Sequence, residues 1–540
     1  MPETIANDEA TLSLYVLEAL HDAILNKLSS RIWEKDSSVW SADPQIQATI
    51  EDRLGWLGIP DWSIKHVKEL TAFADEVRKD GIAHIVVLGM GGSSLCVEVL
   101  RDTFGPKDGY PKLLVLDSTH PDQILELERS IDLTKTLFIV SSKSGTTLEP
   151  NCYLDYFWNK LESKVSDQSP ISDRRLQFAV ITDPCTPLEK LGDERGFRKV
   201  FSNPPDIGGR YSVLSYFGMV PAALIGIDIE NILSRASSEA GLSRSEDERN
   251  TPLALGMFIG KAAERGRDHL TIVTTPELHS FGYWAEQLIA ESTGKLGKGI
   301  LPIEGESPEA MNEARNRRIY AHLTIGDQVI SEEERLHPDH IELHLEDKLA
   351  ICAQFFRWEF ATAVAGSIMG INPFDEPNVA EAKAKTNEVL ANPNFAASGN
   401  EQGVAPDSES LDKFFSENVK PEGYIAVMAY VNRNADSINA LDKFRNKLSL
   451  KYHVPVTVGF GPRFLHSTGQ LHKGGPPNGT FIQFTDTPKE DIAIPGKPFT
   501  FGTLIRAQAI GDFETLKKHE RPVVSYSLGS DPIAKLAELM

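Results

Sequence analysis

Short apolar runs, each ending in a polar turn and followed by a helical pattern, most limit how this chain can fold. His84-Ile85-Val86-Val87-Leu88, Leu113-Leu114-Val115-Leu116, Leu137-Phe138-Ile139-Val140 and Phe178-Ala179-Val180-Ile181-Thr182 all have this form. Four or five β-prone residues suit a strand better than a helix, and an unbroken apolar run suits one covered on both faces. Such strands alternating with helices predict an α/β fold built on a doubly wound parallel sheet. The alternation restarts at Leu270-Thr271-Ile272-Val273-Thr274 and continues through Ile300-Leu301-Pro302-Ile303 and Ile319-Tyr320-Ala321-His322-Leu323-Thr324. A long amphipathic helix is expected from about 344 to 368. Further strands are expected at 424–430, 455–459, 480–484 and 522–525, completing the second sheet or making a third domain.

Residues 1–75 read as a helical arm. Leu14, Leu17, Leu20 and Ile24 recur at helix spacing, and Ile50, Leu54 and Leu57 form another face before Gly58-Ile59-Pro60 ends it. The arm is expected to pack on the α/β region after it, in a structural role. The divisions predicted are 1–75, 76–235, 236–393 and 394–540, the last opening with a linker to about 420 and completing or capping the second domain and the site.

Composition excludes several classes. Against 55 basic residues stand 77 acidic ones, so neither nucleic acid nor an anionic membrane is expected as a partner. The four cysteines form no C-x-x-C pair, which suits a reducing compartment and gives no zinc site. The first residues lack the basic and apolar regions of a signal peptide, and no apolar run reaches the ~20 residues of a membrane span. A cytoplasmic location is the expectation.

In a doubly wound sheet ligands sit beyond the carboxyl ends of the strands. One turn there is Ser142-Lys143-Ser144-Gly145-Thr146-Thr147, between a strand and a helix start. Its hydroxyls and the free N–H groups of the helix start converge beside the positive end of the helix dipole, a place for phosphate. The spacing is not that of a P-loop, so a phosphorylated small molecule fits better than a nucleoside triphosphate. Helix capping alone is the plainer reading of the hydroxyls. The other turn, Gly89-Met90-Gly91-Gly92-Ser93-Ser94, lacks the last glycine of a dinucleotide fingerprint. It reads as a close backbone approach to sugar or phosphate.

Gly91-Gly92-Ser93-Ser94-Leu95, the 142–147 turn, Gly208-Gly209-Arg210-Tyr211-Ser212, Glu291-Ser292-Thr293-Gly294-Lys295 and Ile371-Asn372-Pro373-Phe374-Asp375 occur in that order. Together they resemble the glucose-6-phosphate isomerase family, built from two sugar isomerase (SIS) domains. Phe464 to Pro476 is similar to the isomerase half of fused transaldolase–isomerase chains. The resemblance implies interconversion of glucose 6-phosphate and fructose 6-phosphate through a cis-enediol, without a cofactor, in a homodimer.

By the same resemblance Glu291 is the base, which burial would tune toward neutrality. Arg210 faces the enediolate. Ser142, Lys143, Ser144 and Thr147 take the phosphate, Lys143 through its backbone N–H, while Gly92 and Ser93 approach the sugar. Lys383, in a helix begun by Pro377, assists ring opening with a histidine. The family's histidine motif is missing between the glutamate and the lysine. His472 in Thr468-Gly469-Gln470-Leu471-His472 is the first choice, His466 the second, and His322 reads as a strand residue. Glu376 stands where the family has glutamine, which leaves contacts there open. No metal-ligand cluster stands out. An isomerase for mannose 6-phosphate or an amino sugar phosphate, and a non-catalytic SIS sugar-phosphate sensor, are the alternative readings.

Overall fold

Every apolar run named above is a strand, and all strands pair in parallel. The computed structural model describes residues 9–164, 171–332, 339–392, 395 and 404–540. The first sheet contains β1 (His84–Leu88), β2 (Lys112–Leu116), β3 (Thr136–Ser141), β4 (Phe178–Thr182) and β5 (Lys199–Ser202) in the order β2-β1-β3-β4-β5. The second contains β6 (His269–Thr274), β7 (Leu301–Glu304), β8 (Arg318–Ile325) and β9 (His340–Leu345) in the order β7-β6-β8-β9. In each, the chain enters mid-sheet, steps to one side, then crosses back. The crevice between the first and third strands is where such a sheet receives a ligand.

Residues 404–540 do not extend the second sheet. They form a third, with β10 (Tyr424–Tyr430), β11 (Val456–Phe460), β12 (Gly479–Thr485) and β13 (Val523–Ser527) in the same winding, β11-β10-β12-β13. This sheet has its own core around Ile425, Leu441 and Phe484. Its other face packs Tyr424, Met428 and Phe481 against Ala290, Leu301 and Ile303 of the second sheet's layer.

The arm is helical at Glu9–Leu25, Leu28–Trp33, Pro44–Glu51, Ile59–Ile64 and Val67–Lys79. Pro60 opens the fourth of these rather than ending a helix, because its missing N–H costs nothing in a first turn. Of the predicted stripe, Leu20 is buried but Leu17 is 62% exposed, and the Leu14 side chain lies outside the described residues. Trp56 is fully buried and packs its ring against Tyr211, Phe356 and Phe374, so the arm belongs to the main core. Leu54 forms an antiparallel bridge with Ile207, and the Gly55 N–H donates to the Asp206 carbonyl at 2.9 Å.

Two expected elements differ. The long helix begins at Ile351 rather than 344, because residues to Leu345 are the edge strand β9. The linker range holds the helix Ser408–Asn418, started by the Asp407 carboxylate accepting from the Ser410 N–H at 2.8 Å; residues 396–403 lie outside the described set.

Candidate active site

The glycine turn after β1 and the Gly208-Gly209-Arg210 turn meet backbone to backbone. A Cβ on Gly92 would lie 2.0 Å from the Gly209 carbonyl oxygen, so only glycine permits the contact. The turn after β3 lies alongside, at the winding reversal of the first sheet. Together these turns floor a cavity of about 290 Å³.

Lys143, Ser144 and Thr147 line one side, at the start of the helix Leu148–Glu162. Thr147 makes no side-chain cap bond, so capping does not account for its hydroxyl. The backbone N–H groups of Lys143 and Ser144 have no partner among the described residues. The Lys143 ammonium is taken by Asp183 and the Pro205 carbonyl. Ser142 does not line the cavity; its hydroxyl donates to Thr147 Oγ1 at 3.0 Å and orients it.

Glu291 projects from the last turns of the helix His279–Thr293, which closes over the opposite wall. Burial pushes its carboxyl up to about 7 against the pull of Arg210, and the Glu376 carboxylate adds to the rise. Gln287, one helical turn earlier, donates to Glu291 Oε2 at 3.1 Å and to the His466 carbonyl at 2.7 Å. Arg210 is held by Ser292 Oγ at 2.8 Å and the Pro373 carbonyl at 2.7 Å. Its Nη1 lies 3.0 Å from Glu376 and 3.6 Å from Glu291. Both carboxylates hold its pKa up despite burial. Glu376 thus reaches Arg210. Burial opposes ionisation of Glu376, but Arg210 overrides it and holds the carboxyl below the usual range.

Gly294 follows this helix with a φ of −76°, outside the left-handed region that a helix-ending glycine often takes. A Cβ there would lie 2.4 Å from Leu471 Cα, so glycine is required by the chain packed against it. The positive φ falls instead at Leu296 and Gly297.

Lys383 lines the cavity mouth from the second turn of the helix Val379–Ala391. The histidine there is His466, not His472. His466 follows β11 in the short helix Arg463–His466, and its Nε2 lies 3.1 Å from Glu149 Oε1. Burial alone would raise the Glu149 pKa; His466 reverses this and lowers it. Gln508 donates to the same carboxylate at 2.8 Å. His472 packs among Tyr424, Phe464 and Phe481, outside the cavity lining. Burial there, with Lys473 and Arg521 nearby, drops its pKa well below the usual value.

Arg53, Glu149 and Gln287 were not anticipated. Only Gln287 left a signal, a polar residue at i−4 from Glu291 on one helix face. No described group in the cavity forms a metal-ligand set. At the edge of the second sheet the ligand atoms of His322, His340 and Glu342 come within 4.8 Å of one another, but all three have other interactions of their own.

A model of the family described as phosphoglucose isomerase matches residues 68–300. The glucose-6-phosphate isomerase of Clostridium novyi (strain NT) is 26% identical over 403 residues, covering 64% of this chain and 88% of its own length. Residues 68–300 are thus similar to the phosphoglucose isomerase family. The Staphylococcus saprophyticus glucose-6-phosphate isomerase is 32% identical over 262 residues, 46% of this chain and 57% of that protein. Two solved structures share the fold. One, a Thermus thermophilus protein described as hypothetical, gives a TM-score of 0.56 at 24% identity over 71% of this chain and 97% of its own. The other, a glucose-6-phosphate isomerase from Chlamydia trachomatis, gives 0.51 at 20% identity over 72% and 81%. The phosphoglucose isomerase match carries the glycine turn, the 142–147 turn, Arg210 and Glu291; Arg53, Lys383 and His466 lie outside it.

Proposed function

We propose that this protein is a glucose-6-phosphate isomerase in which Glu291 moves a proton between C1 and C2 through a cis-enediol. One observation carries the reading: a buried carboxylate tuned to about 7 stands on a cavity wall beside a fixed guanidinium. A base near neutrality both removes and returns a proton efficiently. Arg210 stabilises the charge that develops on the enediolate oxygens. Ser144, Thr147 and the free N–H groups of Lys143 and Ser144 hold the phosphate, with Ser142 orienting Thr147, and Gly92 and Ser93 lie against the sugar. His466, kept in place by Glu149, opens the ring with Lys383; this role passes to His466 from His472, which lies among aromatic rings. Glu376 borders the sugar from beside Arg210.

The protein is further read as a cytoplasmic homodimer, a state that light scattering would test; among the described residues no helix is long and apolar enough to cross a membrane. The activity is tested by coupling fructose 6-phosphate turnover to NADP-dependent oxidation of glucose 6-phosphate. Wild type turns over, and Glu291→Gln loses ~10²-fold or more. An active Glu291→Gln variant would remove the base assignment. An inactive wild type that still binds fructose 6-phosphate would support the sensor.

A further inference from the structure

Arg53, in the turn after the helix Pro44–Glu51, lines the cavity together with Lys143 and Glu376. The arm is fastened beside it. Leu54 bridges Ile207, Gly55 donates to the Asp206 carbonyl, and a Cβ on Gly55 would lie 2.3 Å from the Asp206 carboxylate. Ile207 directly precedes Gly208-Gly209-Arg210, so the arm and the Arg210 turn are joined.

A single nitrogen, Arg210 Nη1, serves two carboxylates, Glu376 at 3.0 Å and Glu291 at 3.6 Å. Nearby Lys295 is occupied: its Nζ donates to Asp375 Oδ1 at 2.6 Å and to the Asn372 carbonyl at 2.8 Å. The Lys143 ammonium is paired with Asp183. Arg53 makes one hydrogen bond among the described residues, from Nη1 to the Asp52 carbonyl at 3.1 Å, and no ion pair. Its positive charge adds to those of Arg210 and Lys295 in favouring the ionised Glu376, and acts on Asp183 as well. A phosphorylated sugar, and still more its enediolate, would be repelled by an uncompensated Glu376.

We infer that Arg53 is a substrate-positioning residue whose guanidinium offsets Glu376, leaving Arg210 to the anionic sugar and making the N-terminal arm part of the active site. The inference rests on the isomerase reading. Full-length Arg53→Ala should raise KM for fructose 6-phosphate ~10-fold with kcat within ~3-fold, the signature of lost binding rather than lost chemistry. Arg53→Lys should restore most of that loss, which a packing defect would not allow. Glu376→Gln alone should lower KM, and Arg53→Ala/Glu376→Gln should return KM to within ~3-fold of wild type, since neighbouring charges couple non-additively. An unchanged KM in Arg53→Ala overturns the inference while the isomerase stands. So does an equal loss with and without Glu376, which would make Arg53 a direct phosphate ligand. A wild type without turnover sinks the isomerase reading and this inference together.

Discussion

Two histidines six positions apart, in the segment between β11 and β12, occupy opposite environments. His466 faces the cavity, with Glu149 on its Nε2 and its carbonyl tied to Gln287 on the helix of Glu291. His472 lies one short helix on, 4% exposed, and neither ring nitrogen has a partner among the described residues. An aromatic cage with nearby cations suppresses the charge of the His472 imidazole, whereas the His466 ring has a carboxylate partner and faces the cavity. What a histidine can do here is decided by the side chains packed against it rather than by the motif around it.

The largest test of this contrast is direct. His466→Ala should lower kcat/KM by ~10²- to 10⁴-fold, as loss of a proton-transfer group does, whereas His472→Phe should leave it within ~3-fold. The reverse result would invert the comparison. The pH profile comes next. Glu291 must be ionised to act, so kcat/KM of the free enzyme should fall about tenfold per pH unit below about 7, a limb that Glu291→Gln abolishes in what activity remains. Glu149→Gln should cost about tenfold, less than losing the imidazole, because it removes only the partner that orients His466.

The smallest effect is on stability. A histidine neutral when folded but protonated when unfolded stabilises fully above its unfolded pKa and loses that contribution as pH falls below it. Burial lowers His472 well below 6.5, so the wild type should lose up to about 1.4 kcal/mol per pH unit under 6.5 on this account. Denaturation midpoints of His472→Phe should decline less steeply from pH 7 to 5. Parallel declines would mean that His472 is not the neutral core residue described.

Most of the fold was legible where strands are covered on both sides. β1, β4 and β10 match the expected bounds because four to seven consecutive buried residues leave no other solution. β5 and β9 were missed because their outer positions, such as Ser202 and His340, are exposed and polar, and an edge strand lacks the continuous apolar run. The shared winding of all three sheets left no sequence repeat, since topology constrains hydrophobicity and not identity. In the site, Arg210, Glu291, Lys383 and the 142–147 turn were named from motifs, and all but Ser142, Gly145 and Thr146 of that turn line the cavity. His466 was only the second choice because it arrives on the third sheet, and nothing local to 463–474 reveals that Glu149 waits over 300 residues earlier. Arg53 was invisible for the same reason: a turn arginine acquires meaning only through the bridge beside it.

The cavity draws its lining from residue 53, from the ends of β1 and β3, from the helix of Glu291, from Lys383 and from the loop after β11. No part of the chain contains the site by itself. A sugar phosphate bound there therefore acts as a rivet through every layer of the molecule. Its binding free energy is added to the cost of opening any one of them, by RT ln(1 + [L]/Kd). Unliganded, the enzyme should show the converse: catalysis fades at the first local opening, whichever segment departs, while far-UV dichroism still reports an intact protein.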